Sequence, residues 1–210
     1  MGGQITMSIW LFRAGKNGEY EEKFLTDNRI YLTWQDLKIN LKEYEDRTAH
    51  LQKLQELYPT EKLNTLKNWE SQIYPIAHRM QKGDWIVLPS KRTSTIHIGK
   101  VVGDYTYDIN NGNPYYHYRD IDWFAKDVPR NNFDQDLLYS FGAFMTVCKI
   151  TRNDAEKRIK AMAVNNWKVP GAMITAFSEA DDMRVDSSTD LETLIYDTIA
   201  KHIYLSLIHI

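Results

Sequence analysis

Gly83-Asp-Trp-Ile-Val-Leu-Pro89 and, after the polar turn 90–94, Thr95-Ile-His-Ile-Gly-Lys-Val-Val102 are the stretch on which the fold turns. The first is a Gly-Asp turn running into a short unbroken apolar segment, as a strand covered on both faces requires. The second alternates until Gly99, where the alternation slips as a β-bulge would cause. Towards the C-terminus, Tyr115-Tyr-His-Tyr-Arg-Asp-Ile-Asp-Trp-Phe124 alternates like a half-buried strand, and Phe144–Ile150 supplies another. Asn153 or Thr151 then suits the cap of a short helix through Ala155, Ile159 and Met162. Towards the N-terminus, Ser8-Ile-Trp-Leu-Phe-Arg13 reads as an opening strand closed by the loop Ala14-Gly-Lys-Asn-Gly18. Between these, Leu41, Tyr44, Leu51, Leu54 and Tyr58 approximate helical spacing up to Pro59. After Thr60, which suits an N-cap, a second helix carries Leu63, Leu66, Trp69, Ile73 and Ile76 on one stripe until Pro75 kinks or ends it. Short strands at even spacing, with two helices inserted after the first, predict an α+β domain over residues 7–163. Its expected form is a small mixed β-barrel, not a parallel α/β sheet.

The rest of the chain reads differently. Residues 164–190 look like a linker, with Pro170-Gly171 and the acidic runs Glu179-Ala-Asp-Asp182 and Asp186-Ser-Ser-Thr-Asp190. Leu191, Leu194, Ile195 and Ile199 begin an amphipathic helix over 191–210 with no partner after it. The apolar end Tyr204-Leu-Ser-Leu-Ile-His-Ile210 resembles a translated sequencing adapter, so the expectation is a truncated reading frame with a non-native tip. Hydrophobic content of 43% and charged content of 26% are those of an ordinary globular chain. The start lacks a basic segment and an extended apolar core, so no secretory signal is read there. No stretch approaches the roughly 18 apolar residues that span a bilayer, so no membrane partner is expected. A lone cysteine, Cys148, allows no internal disulfide, and the expected compartment is the reducing cytoplasm. The net charge of −2 is unevenly spread: from Val164 onward three Lys/Arg face seven Asp/Glu, leaving 23 basic against 21 acidic residues before it. That allows a localised basic patch without demanding one.

Catalytic patterns are thin. GxxxxGK[ST], GxSxG and HExxH are missing, and no Cys or His pair has zinc spacing. Cleavage of the restriction-nuclease type needs a carboxylate followed by Glu/Gln-x-Lys on a strand, to hold a hard cation beside the phosphate. Glu21-Glu-Lys23 has the tripeptide form, but it reads as a solvated helix start, and Glu43 and Asp46 as an exposed helical face. The chain is therefore read as a non-enzyme, with no metal and no cofactor.

Four segments together are more specific: Ile9-Trp-Leu-Phe-Arg-Ala-Gly15, Leu32-Thr-Trp34, Met80-Gln-Lys-Gly-Asp-Trp-Ile-Val-Leu-Pro-Ser-Lys91 and Ile96-His-Ile-Gly-Lys-Val-Val-Gly-Asp-Tyr105. They resemble the EVE-like branch of the PUA superfamily, and more closely the N-terminal domain of Mrr-type, modification-dependent restriction endonucleases. Asp127-Val-Pro-Arg130 and Gln135–Cys148 extend the resemblance, which covers roughly residues 9–162. It implies a reader that flips a modified base of DNA into an aromatic cage, as the sensor module of a defence nuclease whose cutting domain lies beyond this chain. Flipping costs a few kcal/mol and stacking returns part of it. The resemblance makes Trp10, Trp34 and Trp85 candidate cage walls and Ser90 the polar group offered to the base, with Tyr139 and Ser140 in a segment that matches closely. Arg13, Lys16, Lys91 and Arg92 would hold phosphates in loops at the mouth. Thr33 stands where that family carries a glycine beside its Trp. Which modification is read, 5-methylcytosine or another, stays open, as does a homodimer. Two other readings remain: an RNA-binding PUA-like domain, and a sensor of a nucleotide-type small ligand.

Overall fold

A computed structural model describes residues 7–167. Strand β1 (Ile9–Phe12) buries all four of its side chains, so both of its faces are covered. It leads through the loop 13–20 into a short helix, α1 (Glu21–Thr26), and a three-residue strand, β2 (Arg29–Tyr31). Helices α2 (Arg47–Leu57) and α3 (Leu63–His78) follow, then β3 (Trp85–Pro89), β4 (Thr95–Val101), β5 (Thr106–Tyr107) and the long β6 (His117–Pro129). Helix α4 (Gln135–Phe141), β7 (Val147–Ile150) and α5 (Ala155–Val164) complete the helices and strands of the described residues.

The fold is α+β, as read from the sequence: a mixed seven-stranded sheet with helices. The strand order is β2-β6-β4-β3-β1-β7, with β5 paired to β6. β1 runs parallel to β3, Ile9 opposite Trp85 and Leu11 opposite Val87, and antiparallel to β7. A parallel pair cannot be joined by a tight turn, which is why α1, β2, α2 and α3 all lie in the crossover between its strands. The expected barrel is not closed. β2 and β7 stand at opposite ends of the sheet and do not pair.

Alternation along the strands sorts side chains into two cores. Trp10, Phe12, Ile86, Leu88, Ile121 and Val147 cluster with Phe24, Leu54, Leu66, Ile73 and Ile76 from the crossover helices. Ile9, Leu11, Val87, Ile96, Ile98 and Val128 cluster with Leu137 and Phe141 of α4 and Ile159 and Met162 of α5. Each fully buried Leu, Ile or Phe contributes about 1.5–3 kcal/mol by leaving water, so a sheet covered on both sides gains from every position of its central strands.

The bulge expected near Gly99 is present as two register shifts between β4 and β6. A Cβ on Gly99 would lie 2.3 Å from Ile121 Cγ2 and 2.6 Å from Trp123 Cε3, so the bare glycine is what lets β6 press its side chains onto β4. Boundaries differ from expectation where capping was inferred. The stripe from Leu41 breaks into a 3₁₀ turn, Leu41–Glu43, and α2, whose N-cap is Asp46 accepting Ala49 N–H. Thr60 does not cap α3, which begins after Lys62. Pro75 lies inside α3 and the helix ends three residues later, where Arg79 and Met80 both donate to the Pro75 carbonyl. α5 starts after Asp154 in the left-handed conformation, not from a Thr151 or Asn153 cap. The expected linker begins, at Val164, in the end of α5; its part from residue 168, with the helix expected over 191–210, lies outside the described residues.

Gly99→Ala should destabilise the domain by about 1–3 kcal/mol through overpacking against Ile121 and Trp123. Urea midpoints of the two proteins measure this; an unchanged midpoint would mean β6 can yield at no cost.

Candidate functional site

Because β1 and β3 are parallel, the loops leaving their carboxyl ends emerge side by side. The loop after β1 carries Lys16 and the loop after β3 carries Lys91 and Arg92. They touch at Gly18, where an added Cβ would lie 3.2 Å from Lys91 Cβ and 3.3 Å from Arg92 Cγ. Gly15 and Gly18, both at positive φ, turn the first loop so that Lys16 N and Asn17 N donate to the Glu19 carboxylate at 3.3 and 2.8 Å. Slight burial opposes ionisation of Glu19, but these backbone donors outweigh it and hold its pKa below the usual range.

Beneath the loops sits a buried carboxylate. Glu21 opens α1, as its sequence suggests, but it is 7% exposed and not solvated. Its Oε1 accepts the Ser90 hydroxyl at 2.8 Å and faces His97 Nε2 at 3.4 Å, while Asp127 N–H donates to His97 Nδ1 at 3.1 Å. That leaves Nε2 as the protonated nitrogen of a neutral ring, donating to Glu21. Burial works to raise the Glu21 pKa, and the His97 and Ser90 hydrogen bonds override it, so the group stays ionised. Ser90 Oγ also accepts Arg92 N–H and Thr93 N–H, each at 3.0 Å. Ser90 is thus turned inward and fully engaged, where the resemblance implied a group presented to a base. Ser90 and His97 both donate to the carboxylate and do not bond each other, which is the geometry of a clamp on the 90–94 turn and not of an activated nucleophile.

Beside the basic loops lies a run of tyrosines. Tyr20 and Tyr115 meet edge to face at 5.6 Å, Tyr115 and Tyr31 at 5.3 Å, and Tyr31 and Tyr118 at 5.8 Å. Lys23 Nζ lies 4.9 Å from the Tyr115 ring centre and the Arg29 guanidinium 4.0 Å from that of Tyr118. Both cations are also paired, Lys23 with Asp27 at 2.7 Å and Arg29 with Asp120 at 2.9 Å. Trp34, half-buried, follows β2 and packs edge-on against Trp69 at 6.5 Å, which in turn meets Tyr58 at 5.4 Å. The Trp34 loop is tied to the Tyr115 loop, since Asp36 N–H donates to Asn113 Oδ1 at 3.0 Å and Asn113 Nδ2 to Gln35 Oε1 at 2.9 Å. It is pinned from below by His117, which donates from Nε2 to the Leu37 carbonyl at 2.7 Å and accepts Tyr105 O–H at Nδ1 at 2.8 Å. Tyr105 itself accepts Leu41 N–H.

The remaining candidates lie elsewhere. Trp10 is 3% exposed and donates its indole N–H to buried Asp84 at 2.9 Å. Trp85 opens β3, at the opposite end of that strand from Ser90, and packs on Phe124 in an open groove of about 560 Å³ with Lys82 and Lys100. The three tryptophans therefore do not share a cage. Tyr139 and Ser140 are on α4, across the sheet; Tyr139 is exposed and Ser140 donates to the Asp136 carbonyl. Arg13 turns from the mouth and donates to the Ala143 carbonyl at 2.6 Å. The loop that carries Lys16 meets Lys91 and Arg92 at Gly18, Arg92 lies 3.8 Å from Glu22, and Trp34 stands in the loop tied to that of Tyr115. Among the described residues, no three His, Cys, Asp or Glu are placed to hold a metal ion, and no helix is long and apolar enough to cross a membrane.

A family model described as a domain of unknown function, DUF8426, matches residues 9–149, from the first residue of β1 into β7. The chain belongs to this family. The match spans both loops, the Glu21–His97 clamp and the tyrosine run, so the DUF8426 domain contains the whole candidate site. No curated protein and no solved structure matches the chain.

Burial pushes the pKa of His117, and of fully buried His50 against Tyr74 and His78, down to about 4. The unfolded chain then binds more protons between about pH 6.5 and 4, so each ring contributes stability that is complete above pH 6.5 and lost as pH falls towards 4. The loss is on the order of 3 kcal/mol per histidine. Urea unfolding across this window should show it, and His117→Gln should flatten the profile; an equally steep profile in the variant would contradict the role of His117.

Proposed function

We propose that this DUF8426 domain binds DNA along the rim formed by the carboxyl ends of β1 and β3, and holds a modified base against the aromatic groups beside it. The observation that carries this reading is the contact between the Lys16 loop and the Lys91–Arg92 loop at Gly18, next to the Tyr20–Tyr115 pair. Phosphates supply the affinity through the loop cations, and rings supply a face on which a displaced base stacks for about 1–3 kcal/mol. Glu19 and Glu22 stand among the cations and hold down indiscriminate binding. The resemblance to Mrr-type N-terminal domains adds the modified base and the role of sensor for a nuclease domain carried on a longer chain. On this reading the domain binds without cutting.

A panel of one duplex sequence, unmodified or carrying each methylated base, as DNA and as RNA, at fixed salt, tests the proposal. Modified DNA should bind most tightly and, with Mg²⁺ present, stay intact. Lys16→Ala, Lys91→Ala and Arg92→Ala should each weaken all duplexes alike and lower the salt slope by about one. Trp34→Ala should cost about 1–3 kcal/mol of binding, mostly for the modified duplex. Preference for RNA, binding of free nucleotides at the rim in place of duplexes, or reproducible nicking would each overturn the proposal.

A further inference from the structure

At the opposite end of β3 from the basic rim, the sheet opens into the groove of about 560 Å³ that Trp85 and Phe124 line. That volume lies within the roughly 300–1,000 Å³ found for small-molecule sites. Its floor is aromatic. Phe124 meets the Trp85 ring at 4.9 Å, edge to face, and the Trp167 ring at 5.9 Å, tilted by 30°, yet 40% of Phe124 stays exposed. A phenyl ring propped between two indoles and still open to water is a ready stacking face.

Beside the rings lie two charges of opposite sign. Trp85 is the direct partner of Lys100 across β3 and β4, and Lys100 that of Asp122 across β4 and β6. Direct partners share a face of the sheet, and all three side chains line the groove. Opposed charges in such register favour pairing, but among the described residues neither Lys100 nor Asp122 has an ion-pair partner. The other charged groups of the wall are engaged. Lys82 is held by Asp104 at 2.7 Å, and Asp84 accepts the Ser8 N–H, the Trp10 indole N–H and the Gln81 N–H. A cation beside a carboxylate, both next to an open ring, matches a small zwitterion with an aromatic side chain.

We propose that this groove binds a free aromatic α-amino acid. Its carboxylate faces Lys100, its ammonium faces Asp122, and its ring lies on Phe124. A free α-amino acid carries both charges on one carbon, which an internal residue of a peptide cannot do. The groove shares no residue with the DNA rim and does not depend on that reading.

The probe is L-phenylalanine, titrated into the full chain while the indole N–H resonance of Trp85 is followed by NMR. That resonance is assigned by its loss in Trp85→Phe. It should shift saturably at millimolar amino acid. Phenethylamine, 3-phenylpropionate and N-acetylphenylalanine, each lacking one of the two charges, should bind several-fold more weakly. Lys100→Ala and Asp122→Ala alter exposed side chains, and each should raise the dissociation constant about fivefold, the scale of a solvent-exposed ion pair. Discrimination should change with them: Lys100→Ala should no longer prefer phenylalanine to phenethylamine, and Asp122→Ala should no longer prefer it to 3-phenylpropionate. A merely structural role would not produce this exchange. If either variant fails to fold, Lys100→Gln or Asp122→Asn carries the same test. The proposal is overturned if phenylalanine gives no saturable shift, if an analogue lacking one charge binds equally well, or if the folded variants keep the affinity and preference of the parent.

Discussion

The parallel pairing of Ile9–Phe12 with Trp85–Pro89 is the constraint on which the rest of the molecule depends. It forces a long crossover, and that crossover holds every helix of the first core. It also buries β1 on both faces, so α4 and α5 must cover the side that the crossover helices leave open. Finally, it sends two loops out from the same end of the sheet. In α/β folds generally, the crevice at the carboxyl ends of parallel strands is where ligands gather. Here two neighbouring parallel strands suffice to set the loop that carries Lys16 against Lys91 and Arg92 at Gly18.

Loop position alone would leave these cations loosely held. The Glu21 carboxylate removes that freedom by joining α1 to the 90–94 turn through Ser90, and to β4 and the β6 bulge through His97 and Asp127. A buried carboxylate is tolerable only because its donors are in place; taking one away leaves a buried acceptor unsatisfied at a cost of about 1–3 kcal/mol. His117 does the same for the Trp34 loop, with a neutral ring in place of a charge. The candidate site is thus rigid underneath and exposed above. That arrangement limits the ordering cost that flexible loops bring to binding.

Much of this architecture was legible in the sequence, for local reasons. β1, β3, β4, β6 and β7 each announce themselves as apolar or alternating runs, and the slip at Gly99 marks the bulge. β2 is three residues long and α4 seven, too short to establish a period, so neither stands out. Thr60 and Thr151 or Asn153 do not cap the helices that follow them, because a polar residue before an apolar stripe suits a cap whether or not the backbone adopts one. The site was legible only in its basic loops. Glu21 read as solvated since its partners lie 69 and 76 residues away. Trp10, Trp34 and Trp85 looked alike as rings near strand ends, and nothing in their immediate neighbours tells which face each takes. The tyrosine run carries no local signal, because Tyr115 and Tyr118 belong to a segment that reads simply as a half-buried strand.

Backbone amide hydrogen exchange with and without a modified duplex tests the central claim most directly, because it maps contact without altering a residue. The account predicts slowed exchange in residues 13–20, 90–94 and 112–116 when the duplex is bound, with α4 and α5 unchanged. Slowed exchange confined to α4, α5 or the Trp85–Phe124 groove, with the paired loops unaffected, would contradict it.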